Sequence, residues 1–457
     1  MKIKKIIISL ITVIFVIDIL LFGYFCFVSY NHQTKENIDI STSTDELIIS
    51  DSLLSQPVFI KTIPDLHNDL IAGKQDFLEV NLSDMKTRIY KNGEVILEVS
   101  ILAKGDLLSW GGTAAGLYKI ISKTKVAWSG AAKVYMPYAI HFYGKYFIHG
   151  EPYYPNGEKM ISDFSGGCVR LSDQDSKTVF NMVKIGMTVL VIDNENDDYV
   201  YKTRELAQLP IISAQNYLVA DLDNSFVFTQ KNQNQSVPIA SLTKLMAAVI
   251  VSENVNLEKY ITVTQKMLDL GYGSTEKLVT GEEYRAIELF YPLLVESSND
   301  AAEVLAGFLS RNFTIAKMNE KAKEILMDNT TYYDISGYDP ANYSTAQDLF
   351  QLTRYILNNR PLIWQITKNE QVRTFGDNRF FDANLWNKNI FYLDPTLIGG
   401  KTGFIKTSKN TGIFLFKFLD EHAKTRNVAF IVLGSDDLKN DIQLLYKWVN
   451  QNYFSPL

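Results

Sequence analysis

Ser241 and Lys244 stand at i and i+3 in Pro238-Ile239-Ala240-Ser241-Leu242-Thr243-Lys244, which runs into the apolar segment Leu245 to Val251. In the first turn of a helix that spacing puts both side chains on one face. Pro238 and the apolar run predict a helix beginning here. A serine hydroxyl is a weak nucleophile that needs a base within hydrogen-bond reach. A lysine can be that base if burial leaves its amine neutral, and the positive end of the helix would favour negative charge developing near Ser241. A second nucleophile stands upstream. Cys168 lies in Ser165-Gly166-Gly167-Cys168-Val169-Arg170-Leu171, and His149 precedes it by 19 residues. A thiol near an imidazole can attack a carbonyl, pass its proton to the ring and have it returned to the leaving amine. Gly166 and Gly167 would let backbone N–H groups approach a tetrahedral oxyanion. Arg170 could hold a substrate carboxylate or the local backbone.

Neither pair is decisive alone. Ser-x-x-Lys occurs by chance on helix surfaces, and a free cysteine is often a small buried hydrophobe. Two further stretches, Ser297-Ser298-Asn299 and Lys401-Thr402-Gly403, follow in the order of penicillin-recognising serine enzymes. Together with Ile239–Met246, Leu294–Ala302, Ser336–Asp348 and Ile398–Phe404, they make the chain from about Ser213 onward resemble the D-alanyl-D-alanine carboxypeptidases, the low-molecular-mass penicillin-binding proteins. The resemblance implies Ser241 as nucleophile, Lys244 as its base, Ser297 as proton relay and Asn299 as the group holding the substrate amide. It places Lys401 and Thr402 on a strand edge, against the terminal carboxylate of a D-Ala-D-Ala stem. Gly403 would leave room for the bound peptide, and the N–H groups of Ser241 and Phe404 would form the oxyanion hole. Peptidoglycan stem peptides are then the substrates and β-lactams the inhibitors. Without the resemblance, Lys401 reads as a solvated strand-end charge and Asn299 as a helix cap.

The region from about Met85 to Asp193 resembles the L,D-transpeptidases, whose signature is a histidine, a spacer, then Ser/Thr-His-Gly-Cys. His149, the fifteen residues before Ser165, Met136-Pro137-Tyr138 and Val169-Arg170-Leu171 carry it, with Thr113-Ala114-Ala115-Gly116 similar to the family's strand opening. The resemblance makes Cys168 the nucleophile and His149 its base, with Gly167 and Arg170 on the substrate. Gly166 departs from it, standing where the family has a second histidine. His141 reads as structural.

These residues need elements to hold them. Lys2, Lys4 and Lys5 precede an apolar run from Ile6 to Val28, long enough to span a membrane and flanked for a cytoplasmic N-terminus. The expected organisation is a transmembrane anchor over 1–30, a polar stalk and unassigned segment over 31–84, and a mostly-β L,D-transpeptidase-like domain over 85–195. A linker over 196–212 then leads to an α+β penicillin-binding domain over 213–457, an antiparallel sheet carrying helices. Asn92-Gly93 between strand-like runs predicts a hairpin. The net charge of −6 gives no general basic surface, so nucleic acid is not expected as a partner. His141, His149 and Cys168 lack close-spaced ligand pairs, so no metal is expected, and neither acyl transfer needs an organic cofactor. Two function classes remain open at this point. One is a membrane-anchored enzyme with two acyl-transfer sites, its catalytic parts on the wall side. The other is a wall-binding or scaffold protein with one or both sites inactive.

Overall fold

The computed structural model describes residues 57–107, 110–193, 197–202, 206–272, 277–372, 378–380 and 384–454. The expected anchor and the stalk part of the next segment, residues 31–56, lie outside them. Among the described residues no helix is long and apolar enough to cross a membrane.

The N-terminal half begins with helix α1 (Asp65–Ala72) and strand β1 (Phe77–Asn81). Strands β2 (Lys86–Lys91), β3 (Glu94–Ser100), β4 (Gly116–Lys119) and β9 (Thr188–Ile192) join β1 in a sheet of order β3-β2-β1-β9-β4. β1 runs parallel to β9 and antiparallel to β2. Side chains alternate across a strand, and both faces here are apolar. Phe77, Leu190 and Ile192 pack beneath α1 with Leu66 and Leu70. Leu78, Val80, Val189 and Val191 face the second sheet with Ile140, Tyr146, Ile148 and Val169. That second sheet, β5 (Ser122–Ser129), β6 (Val134–Tyr143), β7 (Tyr146–His149) and β8 (Val169–Arg170), carries the cysteine region. Helix α2 (Asp173–Met182), capped by Ser172, follows it.

The domain starts before the expected residue 85, because β1, in the segment left unassigned, is the central strand of the first sheet. Its sequence Phe-Leu-Glu-Val-Asn hides the pattern. Glu79 is fully buried yet paired with Arg88, at 2.7 Å, and hydrogen-bonded to His67. The Asn-Gly hairpin between β2 and β3 is as expected. β5 and α2 had no sequence expectation.

The C-terminal half holds the antiparallel sheet β11-β10-β18-β17-β16, formed by β10 (Asn216–Asp221), β11 (Val227–Lys231), β16 (Leu397–Ile405), β17 (Lys409–Leu419) and β18 (Thr425–Ser435). Short strands β12 (Val237–Pro238) with β15 (Tyr343–Ser344), and β13 (Tyr260–Thr262) with β14 (Glu283–Arg285), form two small pairs. One sheet face packs Phe414, Phe416 and Phe430 against the C-terminal helix Leu438–Val449 through Ile442 and Leu445. The other packs Ile413, Leu415 and Ile431 against the inserted helices. Central among these is α3 (Thr243–Asn254), buried on all sides from Thr243 to Glu253, as a helix in the middle of a domain must be. The expected linker is also corrected. Tyr201 is buried in the aromatic core and its hydroxyl donates to Asp221 at 2.6 Å.

The two halves form one compact unit, Pro57–Leu457. Charges are buried where they meet. Glu253 of α3 pairs with Arg360 at 2.9 Å and Lys321 at 3.3 Å, all fully buried. Arg360 then donates to the Tyr146 hydroxyl at 2.7 Å and to the Gly112 carbonyl at 2.8 Å, while Lys321 donates to the Tyr118 hydroxyl at 2.8 Å. Asn359 accepts from the backbone N–H of Ala115 at 3.1 Å.

Candidate active sites

Ser241 lies in a short 3-10 turn, Ala240–Leu242, and α3 starts only at Thr243. The expected helix start is therefore displaced by a few residues, although Ser241 and Lys244 still face each other. Ala240, with φ +48°, and Ser297, with φ +63°, both hold a conformation unfavourable for a side chain. Such strain gathers at sites that need fixed geometry. The Lys244 amine is wholly buried and lies 2.9 Å from Ser241 Oγ, 2.7 Å from Asn299 Oδ1 and 2.6 Å from the Ser336 carbonyl.

Burial pushes this amine down to about 7, against the opposing charges of Asp334 and Glu303. A neutral amine has two N–H donors and one lone pair. Asn299 Oδ1 and the Ser336 carbonyl can only accept, so they take both donors. The lone pair is left facing Ser241 Oγ, the one neighbour with a proton to give. That arrangement suits a general base.

The remaining motif residues converge on the same cleft of about 570 Å³, lined by Ser241, Ser297, Asn299, Thr402, Gly403 and Phe404. The Lys401 amine donates to Ser297 Oγ at 2.8 Å and to the Thr402 carbonyl at 2.7 Å. Lys401 is 1% exposed, so it is no solvated strand-end charge. Burial, Lys244 and Lys388 together hold its amine well below the usual lysine range. Asn299 is the first residue of the next helix, Asn299–Gly307, whose cap is Ser298, accepting from the Ala301 N–H at 3.1 Å. Gly403 is required by contact, because a Cβ there would lie 2.8 Å from the Ser241 nitrogen. Phe404 is 66% exposed on the rim.

Sequence reasoning missed several supports. Buried Asp334 accepts from the N–H groups of Ser336, Gly337 and Asp339, shaping the loop that aims the Ser336 carbonyl at Lys244. Its position two residues before Ser336-Gly337 was the available signal. Lys388 and Glu296 also line the cleft.

At the cysteine site β7 pairs parallel with β8, Ile148 opposite Val169 and His149 opposite Arg170. His149 is buried and its Nδ1 lies 2.5 Å from the Gly150 carbonyl. A carbonyl only accepts, so Nδ1 carries the proton and Nε2 keeps its lone pair. Burial pushes the ring down to about 4 and the Cys168 thiol up to about 11, so both are neutral at neutral pH. The expected nucleophile–base hydrogen bond is not made. Cys168 Sγ instead lies 3.9 Å from the Lys145 carbonyl.

The two glycines differ in kind. Gly167 has φ +111°, and a Cβ there would lie 2.0 Å from the Tyr146 ring, whereas a Cβ at Gly166 would meet nothing within 4 Å. The position lacking the family's histidine is therefore open space. Ser165 Oγ bridges the turn, accepting from the Gly167 N–H at 3.1 Å and donating to the Cys168 carbonyl. Arg170 is turned onto the local backbone, donating to the Ser162 carbonyl at 2.8 Å. Among the described residues no group of three or more His, Cys, Asp or Glu could hold a metal ion.

Comparison with known proteins divides the chain at the same place. Residues 203–434 match the D-alanyl-D-alanine carboxypeptidase family, and residues 75–192 match the L,D-transpeptidase catalytic domain. A D-alanyl-D-alanine endopeptidase of Haemophilus influenzae is 38% identical over 228 residues, 49% of this chain and 76% of its own. A D-alanyl-D-alanine carboxypeptidase of Mycobacterium tuberculosis is 32% identical over 209 residues, 44% of this chain and 70% of its own. A crystal structure of a D-alanyl-D-alanine carboxypeptidase from Mycobacterium tuberculosis is 27% identical, covering 55% of this chain and 98% of that one with a TM-score of 0.47. The chain belongs to the D-alanyl-D-alanine carboxypeptidase family and carries an L,D-transpeptidase catalytic domain ahead of that half.

Proposed function

We propose that the protein is a membrane-anchored, bifunctional peptidoglycan-modifying enzyme with both sites on the wall side. At the serine site, Ser241 Oγ attacks the carbonyl before the terminal D-alanine of a pentapeptide stem. Its proton passes to Lys244, the ester forms, the C–N bond breaks, and the amine leaves with a proton through Ser297. Water then frees a tetrapeptide. Asn299 holds the substrate amide, Lys401 and Thr402 meet the terminal carboxylate, and the N–H groups of Ser241 and Phe404 bind the oxyanion. The observation that carries this reading is the buried Lys244 amine, with both its donors taken and its lone pair on Ser241 Oγ.

At the cysteine site, Cys168 attacks the bond before the terminal D-alanine of a tetrapeptide, with His149 Nε2 taking the thiol proton. The thioester is then resolved by an amine of another stem. Gly167 supports the oxyanion, and Arg170 holds the local backbone through the Ser162 carbonyl. The product of the first site is the substrate of the second, and joining them raises the local concentration of that intermediate.

Defined muropeptides test the whole reading. From pentapeptide, wild type forms L,D-cross-links, Cys168→Ala stops at tetrapeptide and Ser241→Ala leaves pentapeptide intact. Tetrapeptide rescues Ser241→Ala. Cross-linking by Ser241→Ala directly from pentapeptide overturns the relay. Protease added to wall-stripped cells should digest the catalytic part, and full protection overturns the topology. Open space at Gly166 and a Cys168 thiol bonded to the Lys145 carbonyl rather than to His149 favour one second reading, a cysteine half that binds stems without turnover. Failure of wild type to cross-link tetrapeptide would select it.

A further inference from the structure

The turn joining β6 to β7, Tyr143–Tyr146, is gripped residue by residue from the serine half. The Lys321 amine lies 4.3 Å from the centre of the Tyr143 ring. A Cβ on Gly144 would lie 3.0 Å from Asn254 Oδ1 and 3.3 Å from the Glu253 carbonyl. The Lys145 amine donates to the Ser252 carbonyl at 3.1 Å, and the Tyr146 hydroxyl accepts from Arg360 at 2.7 Å. Ser252, Glu253 and Asn254 are the last residues of α3, the helix whose first turn holds Lys244. Carbonyls at a helix C-terminus carry partial negative charge and hold cations.

The same turn is the floor of the cysteine site. Cys168 Sγ rests 3.9 Å from the Lys145 carbonyl, and Gly167 is pressed onto the Tyr146 ring. We propose that the C-terminal turn of α3 positions Lys145 beside Cys168, so that the serine half supplies the support for a cation serving the cysteine nucleophile. The inference rests on the reading of Cys168 as a nucleophile.

Electrostatics run in the same direction. Burial is the largest influence on the thiol and opposes its ionisation, while a hydrogen bond from the Phe147 backbone and then the charges of Lys145 and Arg170 favour it. His149 faces the site from β7 as a neutral ring. Lys145 itself is pushed down to about 8 by burial and by Arg360, against the attraction of Glu253 and Cys168. Its ammonium is thus charged at neutral pH and is lost as pH rises through about 8. His149 accepts the proton, and Lys145 stabilises the sulfur anion that the proton leaves behind.

The test is alkylation of the full-length protein with iodoacetamide, in which the thiolate displaces iodide. The Cys168 peptide is followed by mass spectrometry, so that Cys26 does not contribute. Lys145→Met should slow alkylation of Cys168 by about tenfold for each unit by which its apparent pKa rises, and Lys145→Arg should keep the wild-type rate. The wild-type advantage over Lys145→Met should fade above about pH 8, whereas that of Lys145→Arg should persist. Penicillin labelling at Ser241 should be unaltered in both variants. An unchanged pH profile in Lys145→Met overturns the inference. So does equal loss of labelling at Ser241, which would mark a merely structural lysine, and so does a wild-type Cys168 that resists the reagent. The enzymatic reading fails separately, when wild type makes no L,D-cross-link although Lys145 still sets the thiol profile.

Discussion

Lowering pH should switch off the serine site as the Lys244 amine takes up a proton. The amine moves from an ordinary 10.5 to about 7 because it is buried. A displacement of that size is on the order of 5 kcal/mol against the charged form, at about 1.36 kcal/mol per unit. The catalytic form is the neutral one, so the sign is fixed: activity rises with pH through about 7 and is lost below it. By the same arithmetic about half of the enzyme is competent at pH 7 and about 1% at pH 5. A lysine at its ordinary value would leave about one molecule in three thousand competent at pH 7. The assay is the second-order rate of acylation by a fluorescent penicillin between about pH 5 and 10. The expected curve climbs about tenfold per unit and bends near 7. Glu303→Gln supplies the internal check, because the Glu303 charge raises the Lys244 pKa and its removal should move the bend to lower pH. A rate still climbing at pH 9, or a bend that Glu303→Gln moves to higher pH, would refute the assignment of Lys244 as the neutral base.

Three further outcomes follow from contacts. Gly167→Ala should lower thermal stability by roughly 1–3 kcal/mol through overpacking on Tyr146, while Gly166→Ala should leave the melting temperature nearly unchanged; equal effects would mean that the turn is not held as described. Arg360→Met leaves Glu253 buried beside one fewer cation, a loss on the order of 3–5 kcal/mol. Because the network joins both halves, Ser241 labelling and the circular dichroism signal should be lost at one shared, lower temperature, and separate transitions would show that the halves unfold independently. Ser241→Ala should abolish penicillin labelling while leaving circular dichroism intact, since the side chain is small and its loss is chemical.

The serine site was legible in the sequence because its parts are short strings whose residue types the chemistry demands. Ser241, Lys244, Ser297, Asn299, Lys401, Thr402 and Gly403 all meet around one cleft or its buried base. The hairpin at Asn92-Gly93 and the helix-bearing antiparallel sheet were legible for similar local reasons. What escaped depended on partners far along the chain. β1 looked irregular because Glu79 interrupts its apolar run, and only Arg88 and His67 explain a carboxylate there. β5 escaped because Ser-Lys-Thr-Lys-Val-Ala-Trp-Ser is largely exposed and lacks an apolar face. The contact between Tyr146 and Arg360 spans more than two hundred residues. Nothing local in Asn-Asn-Arg-Pro marks that arginine as buried.

The two sites solve the proton problem with the same tool and reach different states of readiness. Burial brings Lys244 down to about 7, so that the neutral form a base must have is well populated at neutral pH, and the contact with Ser241 already exists without substrate. Burial also keeps Cys168 and His149 neutral, but there it works against ionisation of the thiol, and no hydrogen bond yet joins the two. The serine is therefore poised at rest, whereas under the proposed relay the cysteine would have to be brought to its base when a stem peptide enters. In a relay that trims first and cross-links second, this order is the productive one. An idle thiol that is protonated is shielded from oxidation. The shared interface gives the same asymmetry a structural basis. Helix α3 carries Lys244 in its first turn and the turn beneath Cys168 on its last, so the half that is ready holds in place the half that waits.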